Sequence, residues 1–277
     1  MRAKISPGIV LCALITATPG LVQAEDEAND RPWTNKAEFS FVTTGGNSQT
    51  TTVSFANEFI YNWAASNLTV TASALKSDTT TRSVANLNGS LDINEITEAT
   101  AEMYTLGGKF IRNIREGFYW YVAGGWERNR FAGIENRYNP GAGVGYRIFK
   151  TDKHELTSEF GANYTSESFV AGTIPTSASY AGARGFLGYK RALSETAEFS
   201  STLELLQNLD VTQDLRGIWI SSVTASLNAR LALKVSYSVF YDKQPVEQVL
   251  EAVGFDPVIY RFDTTDTILS ASLVANF

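Results

Sequence analysis

From Lys36 to Phe277 the chain alternates apolar and polar residues with a period of two, and this pattern limits its possible folds more than any other feature. In a strand successive side chains point to opposite faces, so a two-residue period puts one chemistry on each face of a sheet. In the last segment Thr267, Leu269, Ala271, Leu273, Ala275 and Phe277 share a face against Ser270, Ser272 and Asn276, with Ile268 and Val274 out of phase. Phe118, Trp120, Val122, Gly124 and Trp126 oppose Tyr119, Tyr121, Glu127 and Asn129. Leu233, Val235, Tyr237, Val239 and Tyr241 oppose Lys234, Ser236, Ser238 and Asp242. The pattern predicts about twelve strands, at 36–44, 49–61, 67–78, 101–113, 118–131, 138–149, 154–167, 179–191, 197–209, 217–228, 232–242 and 263–277. Most run about 11–14 residues, which at ~3.3 Å per residue and a tilt near 40° rise roughly 28–35 Å, a membrane thickness. Strands of soluble proteins are usually about half as long.

The connections alternate in length. Short ones begin at Trp63, Ile114, Lys150, Ala192 and near Ala229; longer ones cover 79–100, 132–137, 168–178, 210–216 and 243–262, with the short Gly45-Gly46-Asn47-Ser48 as the exception. Short turns at one end and long loops at the other are the layout of an outer-membrane barrel. The expected fold is all-β: a transmembrane antiparallel up-and-down barrel. A soluble sandwich is the competing reading, and strand length opposes it. In a barrel the polar face lines the lumen, and here it carries both signs of charge: Glu38, Glu58, Lys109, Glu127, Arg147, Glu159, Arg184, Lys190, Glu198, Glu204 and Lys234. Glu127 and Arg147 are expected to pair across neighbouring strands. Aromatics near strand ends, such as Tyr61, Trp63, Trp120, Trp126 and Trp219, fit interfacial girdles. Recurring strand glycines fit a curving wall. Gly141, Gly143 and Gly145 lack the Lys-Ser/Thr of a phosphate loop and open no helix.

The N-terminus reads as a secretory signal. Arg2 and Lys4 precede an apolar run from Ile9 to Thr18, and Val22-Gln23-Ala24 offers a cleavage site. The expected organisation is a signal peptide at 1–24, a periplasmic lead-in at 25–35 and the barrel at 36–277. Cys12 is the sole cysteine, so the mature chain would hold no thiol or disulfide. No later segment approaches the roughly 18–20 apolar residues of a membrane helix. A net charge of -6 without a Lys/Arg cluster argues against a nucleic-acid partner. Leu273, Ala275 and Phe277 close the final alternating strand as a barrel-assembly signal would.

Three segments together resemble a known family: Glu38-Phe39-Ser40-Phe41 with Thr44-Gly45-Gly46-Asn47-Ser48, Pro140-Gly141-Ala142-Gly143-Val144-Gly145-Tyr146-Arg147, and Thr265-Asp266-Thr267 leading to Ser272-Leu273-Val274-Ala275-Asn276-Phe277. The chain resembles the DUF481 family, often called salt-induced outer membrane proteins, over roughly 36–277. The resemblance implies fold and location more than activity. The 243–262 connection is long for it, and Val246, Val249, Leu250 and Val253 are spaced as one face of a short helix, either a lid or plug or a plain surface turn.

Catalysis is not expected. The one histidine, His154, falls in or beside a short turn, away from the outer leaflet where barrel hydrolases work. No metal or cofactor site is expected; Asp92, Glu95, Glu98 and Glu102 cluster in or just after the longest early loop, as a solvated acidic loop or a weak divalent-cation site. The expected function is a narrow pore for small solutes or ions in a bacterial outer membrane, both termini periplasmic. The alternative is a plugged structural barrel tied to salt or osmotic stress. Expected partners are outer-membrane lipids, lipopolysaccharide, periplasmic chaperones and the barrel-assembly machinery.

Overall fold

The computed structural model describes residues 31–44, 49–87, 90–250 and 258–277. The signal segment, most of the lead-in, the Gly45–Ser48 turn and Val253 lie outside them. Among the described residues there are sixteen strands: β1 (Trp33–Thr44), β2 (Gln49–Asn62), β3 (Ser66–Leu87), β4 (Ser90–Arg115), β5 (Phe118–Asn129), β6 (Ile134–Tyr138), β7 (Gly141–Lys150), β8 (His154–Phe169), β9 (Thr173–Ile174), β10 (Ser177–Ala192), β11 (Ala197–Asn208), β12 (Leu215–Ser226), β13 (Leu231–Asp242), β14 (Glu247–Leu250), β15 (Val258–Arg261) and β16 (Thr265–Asn276). Successive staves of the wall pair antiparallel, and β16 returns to β1, closing a barrel of twelve staves. Strands β6 and β7 form one stave, interrupted at Asn139-Pro140, where proline has no N–H to give the ladder. Closure removes the free edges that an open sheet would present.

Expected and observed strands agree closely across the barrel wall. They differ at the loops. Residues 79–100 are no loop: β3 and β4 continue as one ladder from Ser66↔Arg112 to Leu87↔Ser90. The run Thr79-Thr80-Thr81 supplies β-branched residues that favour this extension, and Thr80 and Thr97 hydroxyls meet at 2.7 Å across it. The acids there sit on β4: Asp92 pairs by backbone with Ala85 and Glu95 with Arg82. The helical expectation for 243–262 also fails. The segment forms the hairpin strands β14 and β15, and β14 pairs with β9 to make a three-stranded sheet. The free edge of β9 gives the β14 backbone partners that an isolated helical turn would lack, and Val246 packs where Gly133 has no side chain.

The outward face is apolar. Phe39, Phe55, Leu106, Val122, Val144, Phe160, Leu187, Leu203, Leu233 and Leu269 are all exposed there. A soluble protein of this size would not expose such a continuous apolar band. At the end holding both described termini, rings run from stave to stave: Trp33–Phe59 at 6.2 Å, Tyr61–Trp63 at 4.6 Å, Trp63–Phe110 at 6.2 Å and Phe110–Trp120 at 5.6 Å. Amphipathic rings in such a girdle suit a membrane interface.

Candidate functional site in the barrel lumen

Opposite the apolar band, the inner face of the staves carries charge in three tiers. The central tier is built from β4, β5, β8, β10 and β11. Lys109 Nζ donates to Glu159 Oε1 at 2.5 Å, and Tyr119 Oη donates to the same oxygen at 2.7 Å. Arg184 Nη1 donates to Glu159 Oε2 at 2.8 Å and to Tyr121 Oη at 2.9 Å, while its Nε reaches Glu204 Oε1 at 2.9 Å. Both cations also lie over the Tyr121 ring, Lys109 at 4.8 Å and Arg184 at 5.3 Å. Lys109 and Glu159 belong to staves that do not touch, so their contact spans lumen space. Glu159 is buried to 4% exposure, which is sustainable only because two cations and a hydroxyl surround it.

The glycines of β7 explain how two tyrosines fit this tier. A Cβ on Gly145 would collide with the Tyr119 ring, and one on Gly143 would come within 2.7 Å of Tyr121 Oη. These glycines therefore vacate lumen space that the opposing rings fill, beyond any contribution to curvature.

The second tier lies toward the long loops. Arg137 Nε donates to Glu167 Oε1 at 2.8 Å and its Nη1 to Glu127 Oε2 at 3.3 Å. Arg216 Nη1 reaches the same Glu167 oxygen at 2.9 Å, and Tyr180 Oη adds a third donor at 2.9 Å. Above it opens a cavity of about 750 Å³. Phe169, Phe240, Phe262 and Ile218 give it apolar walls, and Asp210, Asp214, Asp242, Asp263 and Asp266 line it without an ion-pair partner among the described residues. Beside its mouth, hydrogen bonding from Arg130 holds the Glu135 carboxyl below the ordinary carboxylate range, with Arg128 also in contact. The third tier lies toward the termini. Lys234 Nζ meets Glu38 Oε1 at 2.7 Å, Arg147 Nε meets Glu155 Oε1 at 3.1 Å, and Lys190 is within electrostatic reach of Glu198, Lys36, Glu155 and Glu58.

By their contacts, the charges singled out from the sequence divide among these tiers: Lys109, Glu159, Arg184 and Glu204 in the central one, Glu127 in the second, and Glu38, Glu58, Arg147, Lys190, Glu198 and Lys234 in the third. The expected Glu127–Arg147 pair does not form. Glu127 pairs with Arg137 near the loops, whereas Arg147 pairs with Glu155 near the short turns, because strand register sets them at opposite ends of their staves. Arg137, Glu155, Glu167 and Arg216 were missed. Glu155 and Glu167 share the parity of Glu159 on one strand, a signal present in the sequence; Arg137 and Arg216 fell in segments read as loops. His154 Nδ1 lies 2.7 Å from Tyr189 Oη at the start of β8.

The interior is not uniform around its circumference. At mid-height β2, β13 and β16 present Ser54, Ser236, Ser238, Ser270 and Ser272, all partly exposed. The Ser236 and Ser270 hydroxyls pair at 2.9 Å, flat against the wall. Small cavities of about 90 Å³ and 50 Å³ flank the central tier on the charged side.

A family model described as protein of unknown function, DUF481, matches residues 37–277. The chain belongs to this family. It is 24% identical over 155 residues to the uncharacterized protein YdiY of Escherichia coli (strain K12), covering 56% of this chain and 58% of that one. The chain therefore matches little more than half the length of this relative. Among solved structures it is similar to an outer membrane channel from Pseudomonas putida F1, with a TM-score of 0.46, 10% identity and coverage of 91% and 100% of the two chains. It is also similar to the translocator domain of autotransporter NalP from Neisseria meningitidis, with a TM-score of 0.45, 12% identity and coverage of 88% and 87%.

Proposed function

We propose that the chain is an outer-membrane barrel that passes small solutes or ions along a narrow lumen, its short-turn end in the periplasm. One observation carries this reading: the buried ion pairs of the central tier occupy one side of the lumen, and the facing wall of β13, β16 and β2 carries partly exposed serines instead. A passage along the serine wall has hydroxyls to replace the water of a permeating solute, at little desolvation cost. The unpaired aspartates of the loop-end cavity raise the local concentration of cations, so the passage prefers cations. The apolar band, in contact with lipid, and the aromatic girdle support the membrane setting.

The test is single-channel conductance of the refolded protein in a planar bilayer, with heat-shifted gel mobility as the check on folding. The expected result is small, stable, cation-preferring steps that Ser270→Trp largely abolishes. Silence from folded protein would replace the pore with the plugged structural barrel, a reading favoured by Glu159 and Glu167, each held by two cations.

A further inference from the structure

The closing seam of the barrel is zipped at one end only. Strands β1 and β16 pair over four residues, Lys36↔Asn276 to Phe39↔Leu273. By contrast β1 pairs with β2 over twelve residues, and β16 with β13 over eleven. Continued in register, the seam would set Ser40 against Ser272, Phe41 against Ala271 and Val42 against Ser270; none of these is paired. Along the unzipped stretch of β1, Ser40 is buried, whereas Phe41 is 57% exposed and Val42, of inward parity, is 49% exposed. Leu269, on the facing stretch of β16, is 74% exposed. The Lys234–Glu38 ion pair reaches from β13 over the inner face of β16 to β1, at 2.7 Å, and sits where the zipped part ends.

Unpaired strand edges are costly in hydrocarbon, so a membrane barrel keeps them only where water or a bound molecule meets the backbone. Next to this gap, Ile218, Phe240 and Ile268 form a buried apolar cluster on the lumen wall. Ile218 and Phe240 line the loop-end cavity, and Ile268 lies on the unzipped stretch of β16. The cluster thus links residues of the cavity wall to the unzipped stretch of β16.

We propose that the β1–β16 seam is a lateral portal through which an amphipathic molecule with an acyl chain moves between the loop-end cavity and the membrane. The polar head stays in the charged cavity while the chain follows Ile218, Phe240 and Ile268 to the gap, where it shields the two edges. The portal needs the barrel in a bilayer and does not depend on end-to-end conduction, so a silent conductance trace leaves it standing.

Two measurements on refolded protein in vesicles, in a Cys12→Ser background, test it. Ala37→Cys with Ala275→Cys, partners in the zipped part, is expected to form a disulfide readily on mild oxidation. Val42→Cys with Ser270→Cys is expected to stay reduced under the same conditions. A bimane label on Ser270→Cys, at an inward position, is then expected to be quenched by phosphatidylcholine brominated along its acyl chains, and one on Ser222→Cys, inside a fully paired stave, is not. Disulfide formation by the 42/270 pair equal to that of the 37/275 pair would overturn the open seam. Absence of quenching at both labels would overturn the acyl-chain route.

Discussion

The two sides of this lumen solve the same problem with different chemistry. On the side of β4 to β11, large charged side chains are buried and bind one another; on the side of β13, β16 and β2, small hydroxyls stay partly wet. The first arrangement fills space and fixes the cross-section, at the cost of taking charges out of water. The second leaves space and gives up little if a contact is lost. Rigidity is therefore concentrated on one side and passage on the other. The incompletely zipped seam lies on the soft side.

The sharpest way to break this comparison is to remove Glu159. Glu159→Ala strands Lys109, leaves Arg184 with only Glu204 and Tyr121, and takes the acceptor from Tyr119. Removing one partner of a buried ion pair costs about 3–5 kcal/mol. The expected outcome is a large drop in the urea midpoint of the refolded barrel and in the temperature at which its folded gel band disappears. A drop no larger than that of a surface change would mean the tier is hydrated and does not brace the wall.

Arg216→Met is milder. Glu167 keeps Arg137 at 2.8 Å and Tyr180 at 2.9 Å, so its charge remains compensated. The expected loss is about 1–3 kcal/mol, the cost of one unsatisfied buried polar contact. A loss equal to that of Glu159→Ala would show that the loop-end tier carries as much of the structure as the central one.

How much of this was legible in the sequence depends on the length scale of the signal. Parity is local and survives any register, so the inner or outer placement of Glu38, Lys109 or Lys234 could be read from alternation alone. Pairing across the lumen depends on the register of every intervening stave. That is why Glu127 and Arg147 do not join: the register sets Glu127 opposite Arg137 and Arg147 beside the Gly117 turn, at the other end. The loops failed for another reason. The backbone of β14 pairs with β9, some seventy residues earlier, and no local pattern records such a partner. The extension of β3 and β4 failed because its alternation is weak in apolar residues, though its threonine run favoured strand all along.

A smaller effect is expected at the cavity mouth. Asp263→Asn with Asp266→Asn removes two of the carboxylates that line the cavity without a cationic partner. Cation preference, read as the reversal potential across a salt gradient, is expected to fall at low salt. Because Debye screening acts over ~8–10 Å at 0.1–0.15 M salt, the change should shrink as salt rises. An undiminished preference at low salt would put selectivity at the tiers below.

The smallest effect belongs to the serine wall, and it is the control that gives the others meaning. Ser236→Ala deletes a hydroxyl pair with Ser270 at 2.9 Å. An ordinary hydrogen bond contributes about 0.5–1.5 kcal/mol net, and less where water replaces the lost partner. Ser270 is partly exposed, so water can take over its bond, and the urea midpoint should scarcely move. A loss approaching that of Glu159→Ala would mean the serine wall is dry and packed, and with it would go the division of the lumen into a braced side and an open one.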